Sequence, residues 1–188
     1  LFYYAGGSSV ATTTAVTSNN WVHVAAVRSS TTVTIYINGV SSGSGTVSNG
    51  TATSSSANIG ADNANGNLLV GYISNLRLIK GTAAYTSNFV PTNIPLTAVQ
   101  NTALLLNGTS AGIYDSSMMS DFETLGNTQI STSLKKYGNA SMYFDGNGDY
   151  LLSYTPLVGQ FGTGDFTIEC WVYKSANGTN SYDTIAQL

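Results

Sequence analysis

The chain has 188 residues, enough for one well-buried core or for parts of two domains, and 42% of them are apolar. Only 8% are charged, against roughly 25% in ordinary soluble domains; Ser, Thr, Asn and Gly supply the polar surface instead. Six Lys and Arg with a net charge of −3 lack the basic footprint that nucleic acid requires, the lone Cys170 rules out an intrachain disulfide, and no apolar run reaches the roughly 20 residues that span a bilayer.

Strand signals recur along the chain, separated by Gly, Ser and Asn. Leu1 to Ala5 is apolar and aromatic and breaks at Gly6-Gly7-Ser8. Trp21 to Arg28 follows the turn residues Ser18-Asn19-Asn20. Thr32 to Ile37 alternates, and Asn38-Gly39 supplies the positive φ of a tight hairpin turn. Ser41 to Ser56 reads as a surface connection or weak edge strands. Asn58-Ile59-Gly60 and Leu68 to Leu78 come next. In the latter, period-2 spacing predicts Val70, Tyr72, Ser74, Leu76 and Leu78 on one face, with Gly71, Ile73, Asn75 and Arg77 opposite.

Lys80 to Phe89 reads as a loop with one helical turn, and Pro91 and Pro95 make the stretch after it the expected domain boundary. Ala103 to Leu106 restarts the strand pattern. Met142 to Phe144 and Tyr150 to Leu152 flank Asp145-Gly146-Asn147-Gly148-Asp149, which reads as a hairpin with a type I′ turn at Asn147-Gly148. Phe166 to Tyr173 alternates again: Phe166, Ile168, Cys170 and Val172 face one way, Thr167, Glu169, Trp171 and Tyr173 the other. Helix signals are nearly absent. The chain shows no initiating Met and no signal peptide, and both ends read as strands in progress, so a piece of a longer protein is expected.

Catalytic groups are scarce. His23 is the single histidine and alternates with Trp21 and Ala25 on a strand, which predicts a hydrogen-bonded structural role. Cys170 is expected as an inert core thiol. The Asp145–Asp149 stretch starts like a calcium loop, yet positions 6 and 12 are Tyr150 and Pro156 where an EF-hand needs Gly and Glu. Tyr72, Tyr85, Tyr114, Tyr154 and Tyr182 are the aromatic candidates for sugar stacking, with core or contact roles as the competing reading. The sequons at Asn49, Asn107, Asn139 and Asn177 are expected by chance in so Asn- and Ser/Thr-rich a chain.

Four segments together carry a family resemblance. They are Trp21-Val22-His23-Val24-Ala25-Ala26-Val27-Arg28 with Ile35-Tyr36-Ile37-Asn38-Gly39-Val40; Gly71 to Ala83 running on to Tyr85-Thr86-Ser87-Asn88-Phe89; Ser141 to Leu151; and Gly164 to Val172. The chain resembles the concanavalin A-like, laminin-G-type (LamG) jelly-roll superfamily, in the form found in phage fibres, virion proteins and large bacterial surface proteins. The resemblance implies an all-β, antiparallel two-sheet jelly-roll sandwich. The order of segments departs from the family, where the pieces like Ser141–Leu151 and Gly164–Val172 come first. Residues 1–98 are similar to the C-terminal part of one such sandwich and 99–188 to the N-terminal part of another. A window on a tandem array and a circular permutant both fit, and termini that resemble mid-strands favour the array.

Sandwich glucanases of the superfamily carry a Glu-x-Asp-x-x-Glu cluster; the two glutamates here, Glu123 and Glu169, have no such company. No catalytic residue, no enzyme activity and no cofactor are therefore expected. The resemblance implies one exception, Ca²⁺ at a sandwich rim, for which Asp62, Asn63, Asp145 and Asp149 are the candidate ligands. The expected function is a non-catalytic structural or adhesive repeat of a virion appendage, capsid-surface protein or extracellular filament, at the virion surface or outside the cell. The alternative is a carbohydrate-binding module of a secreted adhesin or enzyme. The expected partners are neighbouring repeats or symmetry-related copies, and cell-surface glycans in the alternative, with no nucleic acid and no membrane insertion.

Overall fold

A computed structural model describes residues 2–5, 8–47, 57–62, 66–117, 121–154, 162–176 and 183–187. Among these residues every regular element is a β-strand. The first part of the chain supplies β1 (Phe2–Ala5), β2 (Ser8–Ala11), β3 (Trp21–Ser29), β4 (Thr32–Ile37), β5 (Val40–Thr46), β6 (Ala57–Ile59) and β7 (Val70–Lys80). The second supplies β8 (Thr102–Thr109), β9 (Gly112–Asp115), β10 (Glu123–Leu125), β11 (Gln129–Ser131), β12 (Ser141–Asp145), β13 (Tyr150–Ser153), β14 (Phe166–Lys174) and β15 (Ala186–Gln187).

These form two antiparallel sheets and a separate β1–β2 hairpin. The large sheet runs β11-β12-β7-β14-β3-β4-β5, with β8 on β7 and β9 on β8; the small one runs β10-β13-β6-β15. Strands from before and after residue 98 are interleaved in both: β7 lies between β12 and β14 in the large sheet, and β6 between β13 and β15 in the small one. β14 lies between β7 and β3, paired from Phe166 to the Trp21 and Tyr72 rungs, and β13 is paired with β6. The expected antiparallel two-sheet sandwich is therefore the architecture observed. Its core fills the space between the sheets: Val22, Val24, Ile35, Ile73, Phe144 and Cys170 of the large sheet meet Ile59 and Leu151 of the small one. Alternation places them there, because one face of each strand is apolar and the sheets must cover each other to bury it.

The Asn38-Gly39 turn forms as expected, with φ of 51° and 78°. A side chain at Gly39 would run into the Phe89 carbonyl and Pro91, so the turn admits only glycine. Three other expectations are corrected. Lys80 to Phe89 contains no helical turn. In β7 the faces do not alternate throughout: Ile73, Leu76 and Leu78 all point into the core. The cause is a bulge in which Asn75 and Leu76 together oppose Cys170, with Asn75 at φ 57°. The extra residue moves Leu76 and Leu78 off the face of Tyr72 and Ser74 and puts Arg77 on it.

Asp145 to Asp149 is not a hairpin. β12 pairs with β7 and β11 in the large sheet, whereas β13 pairs with β6 and β10 in the small one. The segment is a corner between sheets, and the positive φ falls on Gly146 and Gly148, with Asn147 between them outside the type I′ pattern. Both flanking strands send apolar side chains, Met142, Phe144 and Leu151, into one core from opposite sides, which two strands of a single hairpin would not do. The Asp149 carboxylate, 0% exposed, holds the corner by accepting the N–H of Asp145 at 2.6 Å and of Asn127 at 2.8 Å.

Replacing Asp149 by Ala strands those two N–H groups, at about 1–3 kcal/mol each. The expected result is a urea midpoint lowered by an amount equivalent to roughly 2–6 kcal/mol with an unchanged slope; an unshifted midpoint would show that the corner does not depend on this carboxylate.

Candidate functional site

Residues 81–98, between β7 and β8, form a strap across the outer face of the large sheet. It is tacked down along its length. The Ala84 N–H donates to Thr167 Oγ1 at 2.8 Å, the Phe89 N–H to the Gly39 carbonyl at 2.9 Å and the Leu96 N–H to Asn75 Oδ1 at 3.2 Å. Its Ala83, Tyr85 and Phe89 pack on Ala25, Val27 and Tyr36. Tyr85 and Phe89 stack with centroids 3.6 Å apart, and Tyr36 meets both rings edge-on.

Beneath the strap the fold assembles a cluster of ionisable side chains from three strands. The bulge sets Arg77 opposite Glu169, and Ala25 lies on the other side of Glu169. Glu169 is 1% exposed and His23 0%. The Glu169 carboxylate accepts from Arg77 Nε at 2.8 Å and also from Arg77 Nη2, from the Tyr85 hydroxyl at 2.8 Å and from His23 Nε2 at 3.2 Å. Arg77 Nη1 donates to the Thr97 carbonyl of the strap at 2.8 Å. A carboxylate only accepts, so His23 carries its proton on Nε2. Among the described residues His23 Nδ1 has no hydrogen-bond partner, and neither does the adjoining Trp171 Nε1.

Burial works to raise the Glu169 pKa, but the His23 hydrogen bond, the Arg77 charge and the Tyr85 hydroxyl outweigh it, leaving the group below its ordinary value. Burial, then the Glu169 charge, push the Tyr85 hydroxyl well above its usual range. Cys170 points from the same strand into the core, where burial pushes its thiol up to about 12. His23 has the hydrogen-bonded role expected of it. The cluster around it was not legible in advance; the available signal was a lone Glu in the outward register between Thr167 and Trp171.

The rest of this outer face lies beyond the strap. Tyr143, Tyr72, Tyr173 and Trp21 occupy one row across β12, β7, β14 and β3. Successive ring centroids are 4.8, 5.9 and 5.6 Å apart, and all four side chains are half-buried. One rung inward, Lys136 Nζ sits 4.3 Å from the Trp171 ring centroid. Of the tyrosine candidates, Tyr72 belongs to this row, Tyr85 to the strap, and Tyr114 and Tyr154 are exposed elsewhere. Tyr182 lies outside the described residues.

The candidate calcium ligands fall into two groups at one end of the sandwich, since the Leu151–Ile59 pairing sets residues 60–62 beside residues 145–150. Asp62 accepts the Gly66 N–H at 2.7 Å and the Asn67 amide at 2.5 Å. Asn58, beside it, keeps a buried Oδ1 without a partner among the described residues. Asp145 accepts from the Asn147 N–H and the Asn127 amide; burial raises its pKa, but these bonds bring it below the ordinary value. Burial, its leading cause, raises that of Asp149. Each Asp149 oxygen already holds a backbone N–H, so this residue fits a turn clamp better than a cation ligand. Asn63 lies outside the described residues. Among the described residues no three His, Cys, Asp or Glu side chains group as a metal site.

Residues 2–84 match the Laminin_G_3 family model, described as the concanavalin A-like lectin/glucanases superfamily. No curated protein and no solved structure matches the chain.

The low Glu169 pKa sets a pH dependence. Its stabilising contribution is complete above the unfolded glutamate value of about 4.3 and is lost as pH falls through the lower folded value. In Glu169→Gln that acid-side loss should shrink, and Arg77 is left without its countercharge at a cost of about 3–5 kcal/mol near neutrality. Urea unfolding of both forms at pH 7 and pH 3 measures this; equal stability at pH 7 would contradict the pairing.

Proposed function

Taking as premise that the chain carries a laminin-G-type jelly-roll domain of the concanavalin A-like superfamily, a carbohydrate-binding or adhesive kind of domain, we propose that it is a non-catalytic adhesive module. It works by surface contact, as part of a virion appendage or an extracellular filament. The observation that carries this is the state of the Glu169 cluster. A general acid or base must reach substrate, yet the Glu169 oxygens are occupied by Arg77, Tyr85 and His23 under the strap. Among the described residues the two-carboxylate arrangement of a glycosidase has no counterpart around it. A surface wetted by hydroxyls and amides, with 8% charged residues, suits repeated contact with neutral partners.

A second reading, recognition of cell-surface glycans, is favoured by the aromatic row that the strap leaves open. Incubation of the chain with soluble polysaccharides is expected to release no reducing ends, while immobilised host-cell envelope or glycans retain it. Sugar release that disappears in Glu169→Gln would overturn the non-catalytic reading.

The interleaving of early and late strands in both sheets also supports reading residues 1–98 and 99–188 as the complementary parts of one sandwich. Cleavage of the full chain at a protease site introduced at exposed Asn93 should then leave the two parts co-eluting in size-exclusion chromatography. Separation under native conditions would contradict that closure.

A further inference from the structure

We infer that the row Tyr143, Tyr72, Tyr173 and Trp21 is a binding platform for a neutral polysaccharide, laid across the strands of the large sheet. This inference rests on the glycan-recognition reading and names its site. The register is the first support. Each residue of the row is the direct cross-strand partner of the next, so four adjacent strands present one aromatic side chain apiece at the same level. With strands about 4.8 Å apart, the row is roughly 14 Å long, a span for several linked sugar rings rather than one.

The second support is how the outer face is divided. The strap roofs its other half, where Ala25, Val27 and Tyr36 are buried under Ala83, Tyr85 and Phe89. Phe89 of the strap meets His23 edge-on with centroids 5.7 Å apart, and His23 lies two residues from Trp21 on β3. The four rings lean on one another at 36°, 77° and 59°, so mutual packing fixes them and little side-chain entropy is lost on contact. The solvent-facing part of each half-buried ring is apolar surface for the C–H side of a sugar, while amides serve its hydroxyls. Exposed Asn19 and Asn20 stand at the Trp21 end, and the Tyr173 hydroxyl lies 3.5 Å from Asn19 Oδ1.

Charge bears on the ligand. No ionised side chain belongs to the row, and beside it Lys174 is paired with Asp183. The four rings themselves offer a charged polymer no countercharge, whereas a neutral one needs none.

Cross-strand aromatic packing also stabilises a sheet without any ligand, so the test reads binding. The full chain is run through native gels containing soluble β-glucan, xylan, galactomannan or the anionic polymer alginate. The expected result is retardation by at least one neutral polysaccharide. Trp21→Ser and Tyr143→Ser, at the two ends of the row, should each weaken it about tenfold, with thermal unfolding still cooperative. Tyr114→Ser and Tyr154→Ser, exposed elsewhere, should leave it unchanged. In a Trp171→Phe background the emission comes from Trp21 alone, because the chain has two tryptophans, and the retarding polysaccharide should shift it to the blue.

Retardation that survives both end substitutions with no Trp21 shift overturns the platform while leaving glycan recognition standing at another surface. Retardation by alginate alone overturns the neutral-ligand assignment. No retardation by any of the four polymers overturns the glycan-recognition reading and the platform with it.

Discussion

The Glu169 carboxylate sits in the middle strand of the large sheet, away from water, and a buried charge of that kind costs several kcal/mol unless it is answered at close range. Arg77 answers it with charge, His23 and Tyr85 with hydrogen bonds. These three groups reach it from β7, from β3 and from the strap. Sheet register, bulge and strap are thereby coupled: none can shift without leaving a charge unmatched. Arg77 extends the coupling by donating to the Thr97 carbonyl at the far end of the strap. A stretch with no regular structure of its own is thus fastened to the sheet near both its ends.

The Asn75 bulge makes this possible. Without the inserted residue Arg77 would point into the apolar core, and Leu76 and Leu78 would face the strap. Asn is among the few residues other than Gly that adopt φ near +57° readily. Its side chain does further work at the same place, accepting the Leu96 N–H of the strap and donating to Ser74 Oγ. One residue therefore sets the phase of β7 and fastens the cover over the face it reorients.

At the end of the sandwich the same logic applies to Asp149. Its chain neighbours change sheets, and the backbone N–H groups freed at the corner find a carboxylate instead of a ladder partner. Strands before and after residue 98 then interleave, with β14 filling the slot between β3 and β7 that would otherwise present two open edges. Beyond the strap the outer face carries aromatic side chains packed on one another.

The strands and their inward residues were legible wherever alternation runs unbroken. Phe166 to Tyr173, Thr32 to Ile37 and the Asn38-Gly39 turn need only local stereochemistry and period 2, and the all-β class follows from them. The phase of β7 was not legible, because a bulge is chosen by the partner strand and the core. The Asp145–Asp149 corner was not either, since a Gly-Asn-Gly turn reads alike whether its flanking strands pair with each other or with two different sheets. The Glu169 cluster joins residues 23, 77, 85 and 169, and no spacing along the chain announces it. Local sequence determined which segments are strands and which faces are apolar. Only the tertiary structure decided which strands became neighbours, and with that which side chains share a rung, because pairing across a sheet depends on distant segments burying one another.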